Sequence, residues 1–105
     1  METWKLEELE TIAHEIVDKA KEDGIGRGEG DFTHDAHNIY LECDYIEDST
    51  DVVYYPDSGY YEGGDLCGLE LYNIDGCWID EEGNEFSLTD EEKQALQDAV
   101  NELIY

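Results

Sequence analysis

His34 and His37 stand three residues apart, and Cys43, Cys67 and Cys77 follow downstream. These are ligand types that zinc takes. Zinc sites draw such ligands in tight pairs, and only the two histidines form one. Each cysteine falls singly on an apolar phase, where a small buried thiol is the simpler reading. Neither a metal nor a cofactor is expected. The stretch Leu71-x-Asn73-x-Asp75-Gly76, with Glu82 six residues beyond the glycine, follows most of a calcium-loop pattern. Leu71 fills its first ligand position and has no side-chain oxygen to offer. Carboxylates are so abundant that pairs spaced for glycoside hydrolysis arise by chance. No nucleophile elbow or paired Cys/His motif accompanies them, and His14 lies at the boundary of a helical face. No catalytic residues are expected.

The carboxylates act as a set. The chain has 105 residues, with 30 Asp and Glu against 5 Lys and Arg, a formal net charge of −25. Direct nucleic-acid binding is excluded, because phosphates need clustered Lys and Arg. Adhesion to an anionic membrane is disfavoured for the same reason, and no apolar run is long enough to span a bilayer. The start, Met1-Glu2-Thr3-Trp4-Lys5-Leu6-Glu7, lacks the basic and apolar stretches of a secretion signal. With an odd cysteine count, that points to reduced thiols and a cytoplasmic setting. Residues 29–105 hold 22 acids and Lys93 alone, so the field is strongest there. Solubility needs a net magnitude of only about 2–8 in a small domain. The excess suggests a field that attracts basic partners.

Its density can be set against DNA. A duplex carries one charge per roughly 1.7 Å of axis, or about one per 110 Å² on a cylinder some 20 Å across. A folded chain of this size exposes about 6,000 Å², which gives about 240 Å² per net charge. Mimicry of a nucleic acid therefore requires the charge to be concentrated on one face. Tyrosines add anchoring area. Tyr54, Tyr55, Tyr60 and Tyr61 flank one turn among Asp51, Asp57 and Glu62, and tyrosine is an enriched hot-spot residue.

The elements that must position these groups follow from periodicity. Leu9, Ile12, Ala13, Ile16, Val17 and Ala20 line one face of a helix over about 4–23, with Thr3 as N-cap. Residues 24–35 read as a glycine-rich loop. A phosphate cradle fails there, since no strand precedes it and Glu29 and Asp31 repel phosphate. Residues 37–46 alternate as a half-buried strand: Ile39, Leu41, Cys43 and Tyr45 on one face, Tyr40, Glu42 and Asp44 on the other. Asp48-Ser-Thr-Asp51 reads as a turn. Residues 52–55 and Tyr60-Tyr61 read as strands around the turn Pro56–Gly59, with Gly63-Gly64 ending the second. Cys67, Leu69 and Leu71 alternate with Glu70 and Tyr72 in a strand over about 66–74. Asp75-Gly76 reads as a hairpin turn, Cys77–Asp80 as the next strand, and Gly83-Asn84 as a turn before Glu85–Leu88. Thr89 and Glu92 form a capping box ahead of a helix from about 90 onwards, with Ala95, Leu96, Ala99, Val100, Leu103 and Ile104 inward.

The result is a single α+β domain. An antiparallel sheet of four or five strands carries an N-terminal and a C-terminal helix on one face. The other face is left open, with Tyr40, Glu42, Asp44, Glu70 and Tyr72. Together with Glu47, Asp48, Asp51, Tyr54, Tyr55, Asp57, Tyr60, Tyr61 and Glu62, these form the expected partner-binding set.

The ending, from Ile79-Asp-Glu-Glu-Gly-Asn-Glu-Phe-Ser-Leu to Thr89-Asp-Glu-Glu92, is a hairpin followed by a capped helix. It resembles the tails of small phage-type proteins, and the whole resembles in outline the small acidic α/β inhibitors that phages and mobile elements use against restriction and CRISPR nucleases. The likeness is one of class and carries over no functional residues. It implies an inhibitor that binds the basic surface of a nucleic-acid-binding protein or nuclease. A toxin-immunity protein and a non-inhibitory acidic domain adapted to high salt are the alternatives, although Lys outnumbers Arg 4 to 1.

Overall fold

The computed structural model describes residues 2–22, 28–50, 53–62 and 65–104, with the backbone alone at 49, 50, 53, 61, 62 and 65. The order is α1 (Thr3–Glu22), β1 (Glu29–Asp35), β2 (Ile39–Thr50), β3 (Val53–Tyr55), β4 (Tyr60–Glu62), β5 (Asp65–Ile79), β6 (Glu85–Ser87) and α2 (Asp90–Ile104). This is an α+β fold. One sheet runs β1-β2-β5-β6, all antiparallel, and β3 pairs with β4.

The six apolar residues of α1 are all buried, and Leu96, Ala99 and Val100 of α2 meet them. Beneath lie Ile39, Leu41, Cys43 and Tyr45 of β2, with Leu69, Leu71 and Trp78 of β5. Every second residue of β2 thus enters the core, as its alternation predicts. The N-cap of α1 falls one residue earlier than expected. The Glu2 carbonyl accepts from the N–H groups of Lys5 and Leu6 at 3.1 and 3.2 Å, which makes Thr3 the first helical residue. Lys19 and Lys21 close the last turn, where cations complement the helix dipole.

Three boundaries read from sequence are corrected. Residues 29–35 form edge strand β1, paired along its length with β2. Gly30 is there for space: the Tyr45 ring lies over it, and a Cβ would come within 2.5 Å of the phenolic oxygen. Gly30→Ala is expected to cost about 1–3 kcal/mol, as overpacking does. Urea unfolding measures it, and an unchanged midpoint would remove the packing role. Second, Asp48, Ser49 and Thr50 continue β2, with Ser49 and Thr50 pairing with Leu66 and Asp65. Asp51 lies outside the described residues, as do 23–27, Gly63 and Gly64.

Third, β5 runs unbroken through Asp75-Gly76. Glu42 pairs with Asp75 and Asp44 with Tyr72, so Asn73 and Ile74 oppose Cys43 alone. That is a β-bulge, and Asn73 has φ of 51°. Gly76 is needed because a Cβ would strike the backbone carbonyl of Tyr40. The bulge shifts the phase of the strand. Leu69 and Leu71 point inward before it, Trp78 points inward after it, and Cys77 consequently pairs with Tyr40 on the outer face. Cys77 is half-buried there, contrary to the apolar phase expected for it. A second bulge at Cys67 leaves its thiol half-buried and donating to the Asp48 carbonyl at 3.1 Å.

The capping box of α2 forms as predicted. Thr89 N–H donates to Glu92 Oε1 at 2.8 Å, and Glu92 N–H donates to Thr89 Oγ1 at 3.1 Å. The other oxygen of buried Glu92 accepts from the Trp78 indole at 2.8 Å, with Lys5 Nζ 3.6 Å away. Lys5 lies over Trp4 and Trp78, whose rings meet edge to face at 5.3 Å. One carboxylate therefore joins α1, α2 and β5.

Candidate acidic interface

Register defines the sheet face opposite the helices, because residues directly paired across an antiparallel ladder share a face. Four rows cross β1, β2 and β5: Glu29–Ile46–Glu70, Asp31–Asp44–Tyr72, Thr33–Glu42–Asp75 and Asp35–Tyr40–Cys77. Seven of these twelve positions are Asp or Glu, and none is Lys or Arg. Asp44, Tyr40 and Cys77 are half-buried, and the other nine positions are exposed. The next row towards β3 and β4 pairs Asp48 with Gly68.

Strand spacing turns this into a density. With strands about 4.8 Å apart and same-face residues about 6.7 Å apart, twelve positions cover roughly 390 Å², or about 55 Å² per carboxylate. The whole surface of 6653 Å² averages about 270 Å² per net charge. The face is thus several times denser than the mean and about twice as dense as duplex DNA.

The carboxylates are held by their neighbours. Tyr40 donates its phenolic hydrogen to Glu42 Oε2 at 3.0 Å, and Asn73 Nδ2 donates to Asp44 Oδ2 at 3.0 Å. Lys19 reaches from α1 to the Asp31 backbone carbonyl, with Asp31 Oδ1 3.6 Å from its Nζ. The field registers on every shifted group nearby. The hydrogen bond to Glu42, then the charges of Glu42, Asp35 and Asp75, push the Tyr40 phenol up. Burial and then the charges of Asp44 and Glu29 push Tyr72 up. Beneath them, burial and then Asp44 raise the Cys43 thiol to about 12, against an opposing pull from Lys19. At neutral pH the phenols remain donors and Cys43 remains a thiol, which is a poor nucleophile.

Tyr40, Glu42, Asp44, Glu70 and Tyr72 therefore come together on the uncovered face. Glu47 does not. It lies on the opposite phase with Tyr45, only 9% exposed, and its Oε1 accepts from Gly28 N–H at 3.3 Å. Its charge suggested the surface, but the alternation from Ile39 turns it inward. Glu29, Asp31, Asp35 and Asp75 were missed because their segments read as loop and turn. The alternation of acids at 29, 31 and 35 around Phe32 was the available signal.

The chain matches no protein-family model, no curated protein and no solved structure. The chemistry of the face follows from its own residues.

The tyrosine cluster occupies a different place. Strands β3 and β4 form a separate two-stranded hairpin around the turn Pro56–Gly59, where Ser58 and Gly59 N–H groups donate to the Tyr55 carbonyl. Tyr54, Tyr55 and Tyr60 are about half exposed, and the rings of Tyr55 and Tyr60 stack at 6.3 Å. Asp57 is exposed on the turn. The side chains of Tyr61 and Glu62 are not among those described. The molecule measures 55 × 24 × 18 Å with a radius of gyration of 15.5 Å, against about 13 Å for a compact chain of this length.

The metal-type residues are dispersed. His34 Nδ1 lies 2.7 Å from Glu15 Oε2 and ties β1 to α1, and His37 is exposed on the following turn. Asn73 and Asp75 sit within β5, where Asp75 Oδ1 accepts from Gly76 N–H. Among the described residues no three His, Cys, Asp or Glu side chains converge as metal ligands. No helix among the described residues is long and apolar enough to cross a membrane.

Proposed function

We propose that this chain is an acidic binding protein that inhibits a nucleic-acid-binding protein or nuclease by occupying its basic surface. The observation that carries the reading is the row pattern of the uncovered face. Seven carboxylates on three adjacent strands, at ordinary strand spacing, exceed the charge density of a duplex. Tyr40 and Tyr72 stand among them as rigid side chains with polar tips, suited to anchoring. The exposed tyrosines of the β3–β4 hairpin offer further anchoring area.

A partner bound in this way gives up its nucleic acid. The test is capture from bacterial lysate on the immobilised protein, followed by elution with duplex DNA or RNA and mass spectrometry. The expected result is a small set of proteins released by nucleic acid and lost at high salt, since screening weakens exposed charge contacts. Retention of generic basic proteins alone, with none released selectively, would overturn the reading.

A further inference from the structure

An open groove of about 830 Å³ runs between α2 and the outer edge of β5. Strand β6 covers that edge only along Cys77–Ile79. From Asp65 to Gly76 the strand has β2 on one side and no other described strand on its far side. In an antiparallel ladder every second residue turns its N–H and C=O away from the partner. Two such groups meet one side chain. Leu71 N–H donates to Gln97 Oε1 at 2.7 Å, and Gln97 Nε2 donates to the Leu69 carbonyl at 2.8 Å. The Gln97 carboxamide therefore brackets Glu70 as one residue of a parallel neighbouring strand does. It is a stand-in for a peptide group on an edge that no described strand pairs between Asp65 and Gly76.

We propose that this edge is a strand-addition site for an extended, basic segment of a partner protein, which takes over the hydrogen bonds that Gln97 makes. Backbone pairing supplies affinity, and alternate side chains supply selectivity. The charge of the groove selects the occupant: Glu47, Asp48, Glu70 and Asp90 line it, with Lys93 the one cation among the described lining residues. Lys or Arg on the phase that shares the outer face meets Glu70 and Asp48, and small apolar residues on the other phase, towards α2, face Leu71 and Ile74. A second copy of this chain brings carboxylates against carboxylates and is disfavoured. The inference takes from the proposed function only the sign of the partner's charge; it adds the backbone edge of β5 to a surface that shares Asp48 and Glu70 with the acidic face.

The probe is a short, end-blocked peptide of alternating Lys and Val, titrated into the isotope-labelled protein. Resonance changes are expected at the Leu69, Glu70 and Leu71 amides and at the Gln97 carboxamide. Methylating the peptide amides that face β5 keeps its charge and removes its donors, and is expected to weaken binding at least about 10-fold. Gln97→Ala removes the internal competitor and is expected to tighten binding about 3- to 10-fold. Equal affinity of the two peptides overturns the proposal. So do changes confined to Asp31, Glu42 and Asp75, a result that leaves the acidic-face reading standing. A Gln97→Ala protein that binds no better marks Gln97 as an edge guard alone and also overturns it. The two-peptide comparison on the unaltered protein holds whether or not that variant folds.

Discussion

Glu92→Ala is expected to lower stability by about 3 kcal/mol, roughly 15 °C in Tm. The size follows from what one side chain does. Removing it leaves the indole N–H of Trp78, a residue only 3% exposed, without its acceptor. An unsatisfied buried donor costs about 1–3 kcal/mol. The change also strips Thr89 N–H of its capping partner and Lys5 of a carboxylate between two tryptophans. Small domains are stable by about 5–15 kcal/mol, so this one group carries a large share. Burial pushes the Glu92 carboxyl up, but hydrogen bonds from Thr89 and Trp78 and the Lys5 charge outweigh it and hold it below the ordinary value. A depressed carboxyl stabilises above its unfolded pKa, about 4.3, and that contribution is lost as pH falls through the folded value. Glu92→Gln should remove this acid limb and retain part of the cap. Thermal melts across acidic pH check both variants, and an Ala variant melting within about 3 °C of the parent would refute the role assigned to Glu92.

The helices and the core of β2 were legible because burial imposes a period. Leu9 to Ala20 and Leu96 to Val100 repeat at helical spacing, and Ile39 to Tyr45 alternate. The capping box was legible because Thr89 and Glu92 meet through local geometry alone. What failed were residues whose reason lies elsewhere in the chain. Gly30 looks like a loop residue until Tyr45 lies over it. Asp75-Gly76 looks like a turn until the strand has to bulge past Cys43 and approach the Tyr40 carbonyl. Long-range pairing sets both, and no local propensity reports it.

The acidic face was half legible for the same reason. Alternation placed Tyr40, Glu42, Asp44, Glu70 and Tyr72 together. The β1 carboxylates joined them only through register with β2. Glu47 shows the opposite error, where charge suggested exposure and strand phase decided otherwise. Composition gave the total charge, but its concentration depends on three strands lying side by side.

That concentration can be separated from net charge. Reversing Glu29, Asp35 and Glu42 to Lys takes the net charge from −25 to −19. Reversing Glu7, Glu10 and Asp18 on the exposed side of α1 gives the same −19. If the whole-molecule field governs binding, the two triple variants weaken it equally. If the face makes the contact, the first loses each partner's attraction at close range and the second loses only long-range steering. Close charge pairs across interfaces are worth about 1.5 kcal/mol or more each, so the first variant is expected to bind the captured partner about 1,000-fold more weakly. The second should lose about 10-fold or less, mostly in association rate, and this difference from the parent should shrink at higher salt. An internal readout accompanies these. Glu42 holds the Tyr40 phenol up through a hydrogen bond and its charge. Its replacement by Lys should bring that phenol down in an alkaline absorbance titration, while the helix variant leaves it in place. Equal losses of affinity in the two variants would show that total charge, and not this face, does the binding.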